Sequence, residues 1–182
     1  MSFTNYARWL TLAAMYLISS VTTASGLNTE EAGTLLQILI PAAGLGGTLF
    51  YEQGHEGLVQ FAEAFAASQI ITHGLKYTVN ERRPNGICCN SFPSGHTSAA
   101  FMGAAFIERR YGWRYAIPAY LGATYVGYSR VKTRNHYLTD VMAGALIGTL
   151  SSYYFTRPYK IPITLSLLTH DTYRGVTLDI KW

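Results

Sequence analysis

Charge is what this sequence has least of. Asp, Glu, Lys and Arg together make up 13% of its 182 residues, against roughly 25% in an average soluble domain. The net charge of +4 is small and no basic run occurs, which excludes an electrostatic nucleic-acid binder. There are only two cysteines, Cys88 and Cys89, and they are adjacent. That excludes a disulfide-stapled mini-protein, and neighbouring cysteines also ligate one metal ion poorly. Internal repeats and low-complexity segments are missing as well, so neither a coiled coil nor a disordered chain fits. What is there is 49% hydrophobic residues, the composition of one domain with much of its surface in a large core or in lipid.

The scarce charges are unevenly placed. Residues 9–29, 32–51, 97–107, 115–129 and 141–156 contain none, and 57–75 contain only Glu63. A helix that crosses a bilayer needs about 20 mostly apolar residues. Six candidate helices follow, near 5–24, 34–51, 56–79, 95–111, 115–131 and 136–156, separated by short polar connections. Thr, Ser, Gly and Tyr interrupt every segment and the mean hydropathy is only +0.11, so a soluble helical domain is the competing reading. Charge topology favours the membrane. Arg109, Arg110, Arg114, Arg157 and Lys160 all fall on the cytoplasmic side if the N-terminus does, as the positive-inside rule expects. The segment 5–24 also reads as a cleavable signal, with Arg8 as its charge and Thr22-Thr23-Ala24 near a cleavage site. The aromatic groups at helix ends, such as Tyr111, Trp113 and Tyr153, suit an interfacial belt.

Residues 158–182 change period. Ile161, Ile163, Leu165 and Leu167 alternate with mostly polar neighbours, as do Val176, Leu178, Ile180 and Trp182 beyond a break at His170-Asp171. Period two on both sides of a turn predicts a β-hairpin. The predicted organisation is thus an all-α, six-helix bundle over 1–157 with a hairpin appendage over 158–182.

Three clusters place polar residues at helix ends. They are Lys76 to Arg83-Pro84, then Pro93-Ser94-Gly95-His96, and then Ser129-Arg130 with His136 and Asp140. If successive helices alternate in direction, all three lie at one end of the bundle. Their chemistry suits a phosphate ester. Lys76, Arg83 and Arg130 are cations, and a guanidinium grips phosphate oxygens in a fork. Ser94 and Gly95 open a helix, whose N-terminus favours an anion. His136 and Asp140 are four apart, hence on one helix face. A carboxylate there can hold the Nδ1 proton and leave Nε2 as a nucleophile, and His96 is free to act as general acid. Each piece alone also reads as an ordinary helix end or helix-face pair; the combination points to chemistry. His73 and Glu63 are further candidates, either functional or structural.

These residues resemble the type 2 phosphatidic acid phosphatase superfamily, which also holds bacterial class A acid phosphatases and vanadium haloperoxidases. Its signature is K-x6-R-P, P-S-G-H and S-R-x5-H-x3-D, and Lys76-x6-Arg83-Pro84, Pro93-Ser94-Gly95-His96 and Ser129-Arg130-x5-His136-x3-Asp140 match all eleven letters. The resemblance implies that Lys76, Arg83, Ser94, Gly95 and Arg130 bind the phosphoryl group. It also implies that His136 forms a phosphohistidine, Asp140 orients it and His96 protonates the leaving group. No metal or other cofactor is implied. The expected protein is a multi-pass inner-membrane lipid phosphatase whose site opens on the extracytoplasmic face. Its partners would be membrane lipids and a lipid phosphate such as undecaprenyl diphosphate, phosphatidic acid, phosphatidylglycerophosphate or lipid A. Alternatives are a soluble periplasmic acid phosphatase, a haloperoxidase, a lipid phosphotransferase and a non-catalytic lipid-phosphate binding or transport module.

Overall fold

The computed structural model of the protein describes residues 27–160, 163–170 and 173–180. Five α-helices run in chain order: α1 Thr29–Phe50, α2 Glu56–Val79, α3 Gly95–Tyr111, α4 Trp113–Lys132 and α5 Leu138–Phe155. They are followed by β1 Ile163–His170 and β2 Tyr173–Ile180, an antiparallel pair in which Ile163 faces Ile180, Leu165 faces Leu178 and Leu167 faces Val176. The helix expected over 5–24 lies outside the described residues.

Three helix starts differ from the sequence-based expectation; α4 begins at Trp113 rather than 115, and the other two have a local reason. Helix α1 begins at Thr29 rather than 34, because Asn28 caps it. The Asn28 carboxamide accepts the Glu30 and Glu31 N–H groups, and the Glu31 carboxylate accepts the Asn28 N–H in return. This reciprocal box satisfies donors that a helix start otherwise leaves unpaired. Helix α5 begins at Leu138 rather than 136. Tyr137 has extended backbone and donates its N–H to the Asp140 carboxylate at 2.9 Å, so His136 stands outside the helix, not on its face.

Helix α3 is the centre, touching all four others. Its buried residues include Ala99, Ala100, Gly103, Ala104 and Ala105, and such small side chains let neighbouring backbones come close. The closest approach is to α5, where a Cβ on Gly144 or Gly148 would collide with the Ser94 or Ser98 carbonyl oxygen. Ser152 of α5 donates to the Met102 carbonyl at 2.7 Å. The larger core residues pack in two groups, Phe61, Met102 and Phe106 on one side of α3 and Ile40 and Val126 on the other.

At the far end of the bundle, Arg110 is buried in a two-pronged ion pair with Glu52 and also bonds Gln60 and the Arg157 carbonyl. Of the five cations counted in the charge topology, Arg110 is thus consumed internally. The outward faces are apolar at helical spacing, with Ile117 and Leu121 on α4 and Met142, Leu146 and Leu150 on α5 all exposed. Among the described residues α1 alone is both long and apolar enough to cross a membrane by length and composition. The other helices carry the Thr, Ser, Gly and Tyr that dilute their hydropathy.

Candidate active site

The contact between α3 and α5 joins two of the three polar clusters. The Ser94 N–H donates to the Asp140 carbonyl at 3.0 Å, tying the start of α3 to the first turn of α5. Asp140 is fully buried. Its Oδ2 accepts from Ser91 Oγ at 2.5 Å, from the Tyr137 N–H at 2.9 Å and from His136 Nδ1 at 3.3 Å. The expected His136–Asp140 pair therefore forms, although one partner lies in a loop. The carboxylate selects the Nδ1–H tautomer and leaves Nε2 with its lone pair free.

His136 is 4% exposed. Burial, reinforced by the charges of Lys76 and Arg83 and opposed by Asp140, pushes its imidazole down to about 4. It is neutral near pH 7, the state a nucleophile requires. His96 lies half-buried on the first turn of α3, within the fields of Arg130, His136, Lys76 and Arg83. All three predicted cations and both histidines therefore converge on one place, as the alternating-helix argument anticipated.

Each cation is held differently. Lys76, in the last turn of α2, donates to the Asn90 carbonyl at 2.9 Å and the Ser91 carbonyl at 3.4 Å, so the 80–94 connection anchors it. Lys76 Cε lies 3.8 Å from where a Gly95 Cβ would stand, which places this cation against the start of α3. Arg83 keeps a buried Nε with no hydrogen-bond partner among the described residues. Arg130 is 3% exposed, and its carbonyl accepts the N–H groups of both Asn135 and His136 at 3.0 and 3.2 Å. Ser94 is buried and caps α3 by accepting the Thr97 N–H at 3.4 Å.

Sequence reasoning missed several participants. Ser91 makes the shortest bond to Asp140 but carries no spacing signal. Asn135, just before His136, donates to Glu30 Oε1 at 2.7 Å and to Thr133 Oγ1 at 2.9 Å, and accepts from Asn85 at 3.1 Å. Behind the site, Ser98 bonds Ser68 at 2.7 Å and Thr72 at 3.0 Å. Conversely, Glu63 and His73 lie on the exposed face of α2, away from the stripe of Phe61, Ala64, Ser68 and Thr72 that packs inward. Cys88 and Cys89 are joined to each other and close no loop of chain. Among the described residues no three His, Cys, Asp or Glu side chains gather as a metal site would require.

The PAP2 superfamily profile matches residues 57–160, more than half of the chain. The chain belongs to the PAP2 superfamily. All the motif residues of this PAP2 protein fall inside that stretch, whereas α1 lies outside it. It is 32% identical over 142 residues to the lipid A 4'-phosphatase of Helicobacter pylori, covering 72% of this chain and 71% of that one. It is 40% identical over 96 residues to the lipid A 1-phosphatase of Porphyromonas gingivalis, covering 51% of this chain but only 22% of that longer protein. The fold resembles the crystal structure of Aquifex aeolicus LpxE, with a TM-score of 0.53 and 23% identity over 66% of this chain and 83% of that one.

Proposed function

We propose that this protein is a membrane-embedded lipid phosphatase that removes a terminal phosphate through a phosphohistidine on His136. The observation that carries this reading is the convergence of a neutral, carboxylate-oriented histidine and a second histidine with three cations. Lys76, Arg83 and Arg130 would neutralise the phosphoryl oxygens, with Ser94 and the start of α3 at Gly95 completing the cradle. Nε2 of His136 attacks phosphorus as the bond to the leaving oxygen breaks, and His96 gives that oxygen its proton. Water then attacks the phosphohistidine, returns a proton to His96 and releases inorganic phosphate as the P–N bond breaks. A module that only bound phosphate would need the cations but not the Ser91–Asp140–His136 chain, which argues for catalysis.

The apolar outer faces of α4 and α5 support placement in lipid, where they need no protein partner. Arg109, Arg114, Arg157 and Lys160 gather at the end opposite the site, which supports an extracytoplasmic site in an inner membrane. In this arrangement helices α1 to α5 form the membrane domain, and the strand pair β1–β2 follows it as an appendage. The names of the relatives favour the lipid A disaccharide as the first substrate to try, with undecaprenyl diphosphate second.

The test is phosphate release from each lipid in detergent with excess EDTA, comparing the wild type with His136→Ala. Release that survives EDTA and vanishes in the variant supports the mechanism. Release that persists in His136→Ala overturns the nucleophile assignment. A wild type that releases no phosphate from either lipid, nor from phosphatidic acid or phosphatidylglycerophosphate, overturns the hydrolase reading.

A further inference from the structure

The guanidinium of Arg130 is held by a helix that supplies none of the motif residues. Arg130 Nη2 donates to the Glu30 carbonyl at 2.6 Å and to Thr34 Oγ1 at 3.3 Å, both in the first turns of α1. Nε donates to its own neighbour, Ser129 Oγ, at 3.1 Å. A guanidinium has five N–H groups, and these three bonds occupy both hydrogens on Nη2 and the one on Nε. The two on Nη1 are left. Among the described residues Nη1 makes one ion pair, with the half-exposed Glu30 carboxylate at 3.7 Å, beyond hydrogen-bond reach. Among the described residues one edge of the fork is thus saturated by protein, while the other has no hydrogen-bond acceptor and only the looser Glu30 ion pair.

The close approach is built in. At Gly33 a Cβ would collide with Ser129 Oγ, lie 2.8 Å from Ser129 Cβ and stand 3.0 Å from Arg130 Nη2. Only glycine lets α1 come near enough for its carbonyl to reach the guanidinium. Thr34 Oγ1 in turn donates to the same Glu30 carbonyl at 3.0 Å, so hydroxyl, carbonyl and guanidinium close a three-way contact.

We propose that Gly33 and Thr34 of α1 are positioning residues for phosphate recognition, fixing the Arg130 fork so that its Nη1 edge faces the phosphoryl oxygens. This rests on the phosphate-binding role proposed for Arg130. Neither residue touches substrate; they act by removing the rotamer freedom that a long arginine otherwise loses when it binds.

The test uses the full chain in detergent, with Thr34→Val, Thr34→Ser, Gly33→Ala and Arg130→Lys. Affinity for inorganic phosphate is read twice, as competitive inhibition of phosphatidic acid hydrolysis and as phosphate-dependent thermal stabilisation of the protein. Thr34→Val should weaken phosphate binding and raise KM by roughly three- to tenfold, the size of one lost charge-assisted hydrogen bond. It should change kcat less, Thr34→Ser should restore the loss, and Gly33→Ala should weaken binding at least as much. In an Arg130→Lys background, Thr34→Val should add nothing, since the coupled partner is gone.

A Thr34→Val protein that melts lower but binds phosphate as the wild type does would overturn the proposal. So would a loss that persists undiminished beside Arg130→Lys. If the wild type hydrolyses no lipid, the hydrolase reading fails, and the thermal-stabilisation measurement still decides this inference alone.

Discussion

Replacing Asp140 with asparagine tests the tautomer logic at the centre of the site. The carboxylate is fully buried; Oδ2 takes all three donors, Ser91 Oγ, the Tyr137 N–H and His136 Nδ1, while Oδ1 has no partner among the described residues. In Asp140→Asn the amide has two orientations. With its oxygen in the Oδ2 place, the three donors stay satisfied but the NH2 group sits where no acceptor stands. Turned over, the NH2 group donates to Ser91 Oγ and His136 Nδ1, which moves the imidazole proton to Nε2 and removes the nucleophilic lone pair. The productive orientation therefore leaves a buried amide unpaired, and the imidazole also loses its bond to a charged acceptor. Together these cost about 2–4 kcal/mol, and at about 1.4 kcal/mol per tenfold kcat should fall roughly 30- to 1,000-fold. KM should move little, because Asp140 lies behind the histidine and not against substrate. Single-turnover phosphate release at pH 7 measures this, with phosphate-dependent thermal stabilisation as the check that the site is folded. A kcat within about fivefold of the wild type, with a preserved stabilisation, would refute the reasoning.

Two further outcomes follow from the same geometry. The native imidazole of His136 titrates near 4 whereas an unfolded histidine titrates near 6.5. As pH falls through that window the unfolded chain takes up a proton that the native state refuses, so stability present above about 6.5 is lost progressively toward 4, up to roughly 3 kcal/mol. Thermal unfolding in detergent should show the wild type losing more stability than His136→Gln between pH 6.5 and 4; parallel pH curves would contradict the assignment. At the other end of the bundle, Arg110→Met strands the buried Glu52 carboxylate, whose Oε1 then keeps, among the described residues, the Tyr111 hydroxyl at 2.7 Å. Breaking one side of such a pair costs about 3–5 kcal/mol. The melting temperature should drop sharply while phosphate affinity of the folded protein stays unchanged, since Arg110 is about 22 Å along α3 from Gly95.

The relation between sequence and structure is clearest in particular residues. Lys76, Arg83, Ser94, Gly95, His96, Arg130, His136 and Asp140 were all legible as one site, because fixed spacing at helix ends survives whatever the loops do. Helices α2 and α3 begin and end where the uncharged runs and their polar borders place them. Local capping was harder to read. Glu30 and Glu31 looked like a break before a helix, yet they are the acidic first turn that Asn28 caps, and His136 looked helical although Tyr137 starts the turn behind it.

By itself the sequence determined which groups are candidates for the chemistry and roughly which helix end each occupies, since periodicity, charge gaps and motif spacing are properties of the chain alone. Only the tertiary structure decided which partner each group meets. Ser91 on Asp140, the Asn90 carbonyl on Lys76 and the first turn of α1 on Arg130 join residues from 14 to 100 positions apart. No local pattern encodes such a pairing. It arises where α5 at Gly144 and Gly148, and α1 at Gly33, approach their neighbours too closely for any side chain to intervene, and that proximity appears only once the helices have packed.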